Sequence, residues 1–139
     1  MTNRKKFEGF KQRLIDENER QYGKEVRAGY GDTVVNESNA KIMGLTKEQY
    51  DKSERLRVEM EKTIKTAFET GDPAGGLAQS ACDLHKQWLC VYYPKYSGEY
   101  HMGLGETYVA DERFRAYYDR LGSGCAGFLR DAINIYCKK

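Results

Sequence analysis

The sequence predicts an all-α protein, and three observations carry that reading. Apolar side chains recur at steps of three and four along most of the chain, the mark of amphipathic helices. Glycine outnumbers proline 14 to 2, which suits helices joined by tight glycine turns. Ser, Thr or Asp residues able to cap exposed backbone N–H groups stand before several of the apolar runs. The one strand-like stretch, Cys90 to Tyr93, continues the helical period before it.

The elements follow in order. Phe7, Phe10, Leu14 and Ile15 set a first amphipathic helix running toward Gly23, and a short second helix is expected over 24–30, ending at Gly31. Asp32 offers a capping oxygen to a third helix through Ala40, closed by Gly44. Thr46-Lys47-Glu48-Gln49 reads as a capping box, in which the first and last side chains each serve the other's backbone N–H. Behind it Leu56, Met60, Ile64, Ala67 and Phe68 line a long helix that Gly71 stops. In Gly71-Asp72-Pro73, glycine ends one helix, aspartate caps the next, and proline takes its first position, where a missing N–H costs nothing. Leu77, Ala81, Leu84, Trp88, Val91 and Tyr92 then hold a helical face for about five turns, which Pro94 ends. Ser97 caps a helix through Tyr108, and Asp111 caps a short one carrying Phe114, Tyr117 and Tyr118. After Gly122-Ser123-Gly124, the residues Cys125, Phe128, Leu129, Ala132, Ile133 and Tyr136 form a closing helix that faces the core.

A chain of 139 residues fits a single domain, read as N-terminal helices over 1–44 and a helical core over 45–139. It can bury roughly two-thirds of its unfolded surface, so folding needs no metal or disulfide. The net charge of +2 is interspersed and makes no basic stripe, so direct nucleic-acid contact is not expected. Lys5, Lys6, Lys11 and Arg13 come nearest to a cluster. They are diluted by Glu8, Asp16, Glu17 and Glu19 and read as a solvated helix face. No apolar run approaches the roughly 18–20 residues of a membrane span, and the polar, basic start is not a signal peptide. The expectation is a cytoplasmic protein whose Cys82, Cys90, Cys125 and Cys137 stay thiols.

Catalysis finds little footing. Cys82 or Cys90 could be paired with His85 or His101, but a reactive thiol needs an electropositive, partly exposed site. Both cysteines lie in an apolar helix and read as small core residues. A P-loop, a dinucleotide fingerprint and a Gly-x-Ser-x-Gly elbow are all missing, so no catalytic residue is named. Cys82-x-x-His85 has ligand-like spacing, yet a structural zinc site wants four ligands, and neither a metal nor a cofactor is expected. Glu99, Glu106, Asp111 and Glu112 are explained as helix caps and first-turn carboxylates.

Aromatic density stands out instead. Aromatic residues make up 12% of the chain, and Trp88, Tyr92, Tyr93, Tyr96, Tyr100, Tyr108, Phe114, Tyr117 and Tyr118 crowd one region. Tyrosine joins a flat apolar face to a polar tip, which suits a pocket for large, partly polar ligands. It suits a tyrosine-rich core equally well. His101 is either a hydrogen-bonding group of such a pocket or a solvated surface residue.

The run Gly103-Leu104-Gly105-Glu106-Thr107-Tyr108-Val109-Ala110-Asp111-Glu112-Arg113-Phe114 resembles the signature of TipAS antibiotic-recognition domains, the effector half of a branch of MerR-family regulators. Glu25-Val26-Arg27, Tyr30-Gly31-Asp32, Gly71-Asp72-Pro73, Asp83-Leu84-His85-Lys86-Gln87-Trp88 and Phe128-Leu129-Arg130-Asp131-Ala132-Ile133 extend the likeness nearly end to end. The resemblance implies a globin-like bundle around a groove that binds bulky natural-product antibiotics. It also implies a mobile N-terminal lid, here Glu25 to Asn39, which three short glycine-punctuated helices would suit because short isolated helices are marginal in water. The family's founding thiopeptide binder traps its ligand on a cysteine. That position falls on Gly103 here, and a nearby second cysteine on Tyr96, so covalent capture is not expected.

The expectation is therefore reversible binding of an aromatic, peptide-like antibiotic or similar xenobiotic. Trp88, Tyr92, Tyr96, Tyr108, Phe114 and Tyr117 would stack on it, His101 would offer a hydrogen bond, and Gly103 would leave room for the ligand's backbone. No helix-turn-helix or long coiled coil lies within the chain. It is expected to act with a MerR-type DNA-binding domain if it is part of a longer product, or alone as a sequestering protein. The alternatives are a protein-interaction or dimerisation module, and haem or metal binding through His85 and His101.

Overall fold

A computed structural model of the chain describes residues 2–93 and 95–138. They form α1 (Asn3–Tyr30), α2 (Asp32–Gly44), α3 (Lys47–Thr70), α4 (Gly76–Tyr92), α5 (Gly98–Ala110), α6 (Glu112–Asp119) and α7 (Cys125–Cys137), with no strand among the described residues. The all-α class is what the periodicity predicts. The chain divides into two units, Met1–Lys52 with Val91–Pro94 and Ser53–Cys90 with Lys95–Lys139.

In the first unit, the Thr2 hydroxyl accepts from the Lys5 N–H at 3.2 Å and starts α1. The expected break at Gly23 does not occur, and α1 runs 28 residues through it. Gly23 is buried, and a Cβ there would lie 2.5 Å from a Glu19 carboxylate oxygen. The glycine thus makes room for a bridge along the helix, in which Arg27 Nε donates to Glu19 at 3.1 Å. Such a bridge helps offset the roughly 1 kcal/mol that glycine costs in a helix interior. Arg27 also donates to Asp32 and Asn36, each at 3.0 Å, tying α1 to α2. The chain turns at Gly31, whose φ of 88° favours glycine. Asp32 is the first helical residue rather than the cap.

A second correction concerns Lys11. It is 1% exposed, because position 11 shares the α1 face that carries Phe7 and Ile15, and its stem follows that face inward. Its ammonium donates to the Met43 carbonyl at 2.6 Å and the Leu45 carbonyl at 2.8 Å, and pairs with Glu8 at 2.9 Å. It therefore satisfies orphan carbonyls at the end of α2. The next helix begins with the expected capping box. Gln49 N–H donates to the Thr46 hydroxyl at 3.1 Å, and Thr46 N–H donates to the Gln49 side chain at 2.9 Å.

The second unit holds most of the buried apolar side chains, including Met60, Ile64, Leu89, Leu129 and Ile133. Each contributes on the order of 1.5–3 kcal/mol by leaving water. Phe68 of α3 meets Phe128 of α7 edge-on at 5.5 Å. Gly71, with φ 74°, ends α3 as read, but Pro73 is not a first helical residue. Asp72 caps a turn instead, accepting from the Ala74 N–H at 3.0 Å, and α4 begins at Gly76. Pro94, read as the end of α4, lies outside the described residues. Ser97 and Asp111 cap α5 and α6 as expected. α7 receives its cap from a distance, with the Asp119 carboxylate accepting from the Ala126 N–H at 2.9 Å. No described helix is long and apolar enough to cross a membrane.

Candidate functional site

The site grows from two core-facing stripes. On α4, positions 78, 81, 82, 85 and 89 are buried; on α5, positions 101, 104, 105 and 108 are. Helical spacing therefore carries a histidine from each helix to the centre of the second unit, where both are 0% exposed. His85 Nδ1 lies 2.8 Å from His101 Nε2, in hydrogen-bond contact. The outer nitrogens continue the chain: His85 Nε2 meets the Tyr108 hydroxyl at 3.2 Å and His101 Nδ1 meets the Tyr96 hydroxyl at 2.8 Å.

Rings close around this line. Trp88 stacks on His85, with centroids 6.0 Å apart and planes at 11°. Tyr136 meets the edge of His101, while Tyr118 and Phe114 pack on Tyr108 at 4.7 and 5.6 Å. Lys86 places its ammonium 5.1 Å from the centre of the Tyr96 ring. Burial disfavours charge on both imidazoles. His85 is pushed well below the ordinary histidine value by desolvation and then by the neighbouring His101. His101 is pushed down by desolvation and then by the Lys86 charge. Both are neutral near pH 7, so each carries a single N–H and can serve as donor and acceptor at once.

The structure joins two of the sequence-derived residues directly, Tyr96 and His101, and Tyr108 reaches them through His85. Trp88 and Phe114 reach them through His85 and Tyr108. Gly103 is half-buried on α5, and a Cβ built there meets nothing within 4 Å, so space does adjoin it. Tyr117 faces outward at 39% exposure. Its hydroxyl donates to Glu61, and Arg120 lies over its ring at 4.3 Å. Tyr92 is half-buried at the end of α4 and belongs to the first unit.

His101 is buried, so it is not a solvated surface residue. His85 and Tyr136 were absent from the sequence-derived ligand set, although His85 shares the stripe of Ala81, Cys82 and Leu89 and could have been placed by that period. Cys90 is exposed rather than a core residue, because position 90 lies off that same stripe; Cys82 and Cys125 are buried. Burial pushes the Cys125 thiol up to about 11, with Asp119 adding to the effect. Among the described residues no group of three or more His, Cys, Asp or Glu side chains could hold a metal ion.

The first unit carries a separate half-open groove of about 720 Å³, walled by Phe7, Met43 and Leu45. Its most buried cation, Lys11, is already engaged by carbonyls and Glu8.

Comparison with known proteins adds the family. The TipAS antibiotic-recognition domain model matches residues 22–136. The HTH-type transcriptional activator mta of Bacillus subtilis is 29% identical over 99% of this chain and 53% of its own length. The HTH-type transcriptional activator TipA of Streptomyces coelicolor is 33% identical over 96% of this chain and 52% of its own. The chain thus spans about half the length of these relatives. Among solved structures, TipAS in complex with nosiheptide, from a thiopeptide antibiotic multidrug resistance system of Streptomyces lividans, matches with a TM-score of 0.66 and 30% identity. That match covers 99% of this chain and 95% of that one, and a globin-like arrangement is consistent with it. A family model that takes in residues 22–136 and a like-folded TipAS chain agree with the signature at 103–114, and the chain belongs to the TipAS antibiotic-recognition domain family.

Proposed function

We propose that this chain reversibly binds bulky aromatic or peptide-like antibiotics as a drug-sensing domain and carries out no chemistry on them. One observation carries the reading: the likeness, over nearly the whole of both chains, to a TipAS domain solved with nosiheptide. The ring-lined line of Trp88, Tyr96, His101, Tyr108 and Phe114 supports it, since flat faces beside fixed polar groups suit large amphipathic ligands. Gly103 supports it too, because open space adjoins its backbone. Tyr92 and Tyr117 complete the proposed ligand set. Capture is non-covalent, since no thiol stands at position 96 or 103.

Joined to a MerR-type DNA-binding domain, as the length of its relatives suggests, the domain would activate transcription when drug is bound; alone, it would sequester the compound. Either role places it in the cytoplasm. Residues 25–39 are proposed to order further on binding.

The test is a titration of Trp88 fluorescence with nosiheptide, other thiopeptides and unrelated peptide antibiotics. A saturable change with at least one compound is expected, with the compound recovered unaltered by mass spectrometry and amide exchange slowed over 25–39. Flat curves with every compound at saturating concentration would remove the proposal.

A further inference from the structure

The geometry of the buried histidine pair limits how many protons it can hold. His85 Nδ1 and His101 Nε2 face each other at 2.8 Å, and a single proton makes that bond. With none, two lone pairs oppose each other; with two, N–H meets N–H. Either way a buried hydrogen bond is forfeited. The neutral pair therefore has one proton between the rings and a second on only one of its outer nitrogens. The other outer nitrogen, His85 Nε2 or His101 Nδ1, is bare and accepts from the phenol beside it. Which of the two it is makes no difference to the count.

The bare nitrogen is a vacancy for one more proton. Filling it reverses a single contact: the ring N–H now donates, the phenol oxygen accepts, and the phenol's own hydrogen turns away. The bond between the rings stays and becomes charge-assisted, stronger than its neutral counterpart. A further proton has no such place. It would enter the 2.8 Å gap, break the bond and put two positive charges in one buried site.

The surroundings resist the added charge without closing the vacancy. On α4 the Lys86 ammonium opposes it, while Trp88 lays its ring nearly parallel to His85, a face that suits a cation. Asp83 answers the charge only at a remove, through Tyr136, whose hydroxyl donates to it at 2.9 Å. Tyr136 and Cys137 on α7 are held neutral, both pushed up by burial. On α6, Tyr118 packs on the Tyr108 ring. We propose that His85 and His101 form one acid-sensitive unit that takes up a single proton while the domain stays folded, with Tyr96 and Tyr108 both accepting from the charged form. The centre of the second unit then has two charge states, neutral and +1, exchanged by one proton.

The chain contains only two histidines, so imidazole nitrogen spectra of the untagged, ¹⁵N-labelled protein report this pair alone. The protein is titrated from pH 7 downward and back, with amide spectra reporting the fold. Wild type should show both rings changing at one common midpoint, reversibly and with the fold intact. Below it, both outer nitrogens should be protonated while the inner pair still shares one proton. Tyr96→Phe and Tyr108→Phe each remove an acceptor that the charged form needs more than the neutral one. Each should lower the common midpoint by about one pH unit, a tenfold weaker hold on the proton. At the wild-type midpoint both variants should thus read as neutral. Four protonated nitrogens in the folded protein, rings that change at different pH values, or unfolding before either ring changes would each overturn the proposal. So would a folded Phe variant whose midpoint stays or rises. The wild-type titration decides the matter even where a Phe variant does not fold.

Discussion

Each unit buries polar side chains that ordinarily carry or readily acquire charge, and the two resolve the conflict in opposite ways. Lys11 keeps its charge and surrounds it with two carbonyl oxygens and the Glu8 carboxylate. His85 and His101 give theirs up and use each other, with two phenols, as neutral partners. Their chemistry explains the choice. An ammonium surrenders its proton only at high cost, whereas an imidazole stands near neutrality at the ordinary histidine value of 6.5. The first unit is thus held by a fixed charge at a helix end. The second depends on a neutrality that the solvent can take away.

The largest blow to this contrast is His85→Ala. It strips a partner from both His101 and Tyr108 and leaves a cavity under Trp88, costing on the order of 3–4 kcal/mol. Chemical denaturation would measure it, and a loss under 1 kcal/mol would mean the pair is not integral to the core.

Acid comes next. Both folded imidazoles hold protons less tightly than in the unfolded chain, so the unfolded state gains protons first as the pH drops. The histidine contribution is therefore complete above pH 6.5 and is lost as the pH falls from 6.5 toward about 4 for His101 and about 3 for His85. The slope is up to about 1.4 kcal/mol per pH unit for each histidine. Melting curves across that range should steepen for wild type and flatten for His85→Ala.

Lys11→Met sharpens the comparison from the other side. The stem volume stays, but the Met43 and Leu45 carbonyls lose their donor, at a cost of about 1–3 kcal/mol. Amide exchange should quicken at 42–46, and the histidine contribution to acid sensitivity should be unchanged. The smallest effect is Thr46→Ala, which removes half of the capping box and costs about 1 kcal/mol, read as a modest drop in denaturation midpoint.

Legibility in the sequence follows the range of the interaction. The capping box at 46–49, the caps at Ser97 and Asp111 and the apolar stripe of α3 depend on residues within a turn or two, and their spacing announced them. The continuation of α1 through Gly23 did not, because a lone glycine reads as a stop unless the Glu19–Arg27 bridge beside it is seen. Lys11 reads as solvated because its carbonyl partners lie more than thirty positions away. The burial of His101 could have been had from the period of 101, 104, 105 and 108. Its pairing with His85 could not, since that depends on how α4 and α5 meet. Resemblance supplied what periodicity could not: the family, which the comparisons bear out, and with it the proposal that the aromatic region recognises the ligand.

On α5, Gly98 and Gly105 stand seven residues apart, where α7 passes closest. A Cβ at 105 would lie 3.4 Å from the Arg130 backbone, and one at 98 would lie 3.6 Å from the Cys137 Cβ. Both bare positions let α5 and α7 pack backbone against backbone or against a Cβ with little room between them. A methyl group added at 105 would sit at the tight edge of ordinary contact with the Arg130 backbone, whereas one at 98 would meet only ordinary contact. The helix bearing His101 and Tyr108 can therefore take an alanine at 98 more readily than at 105.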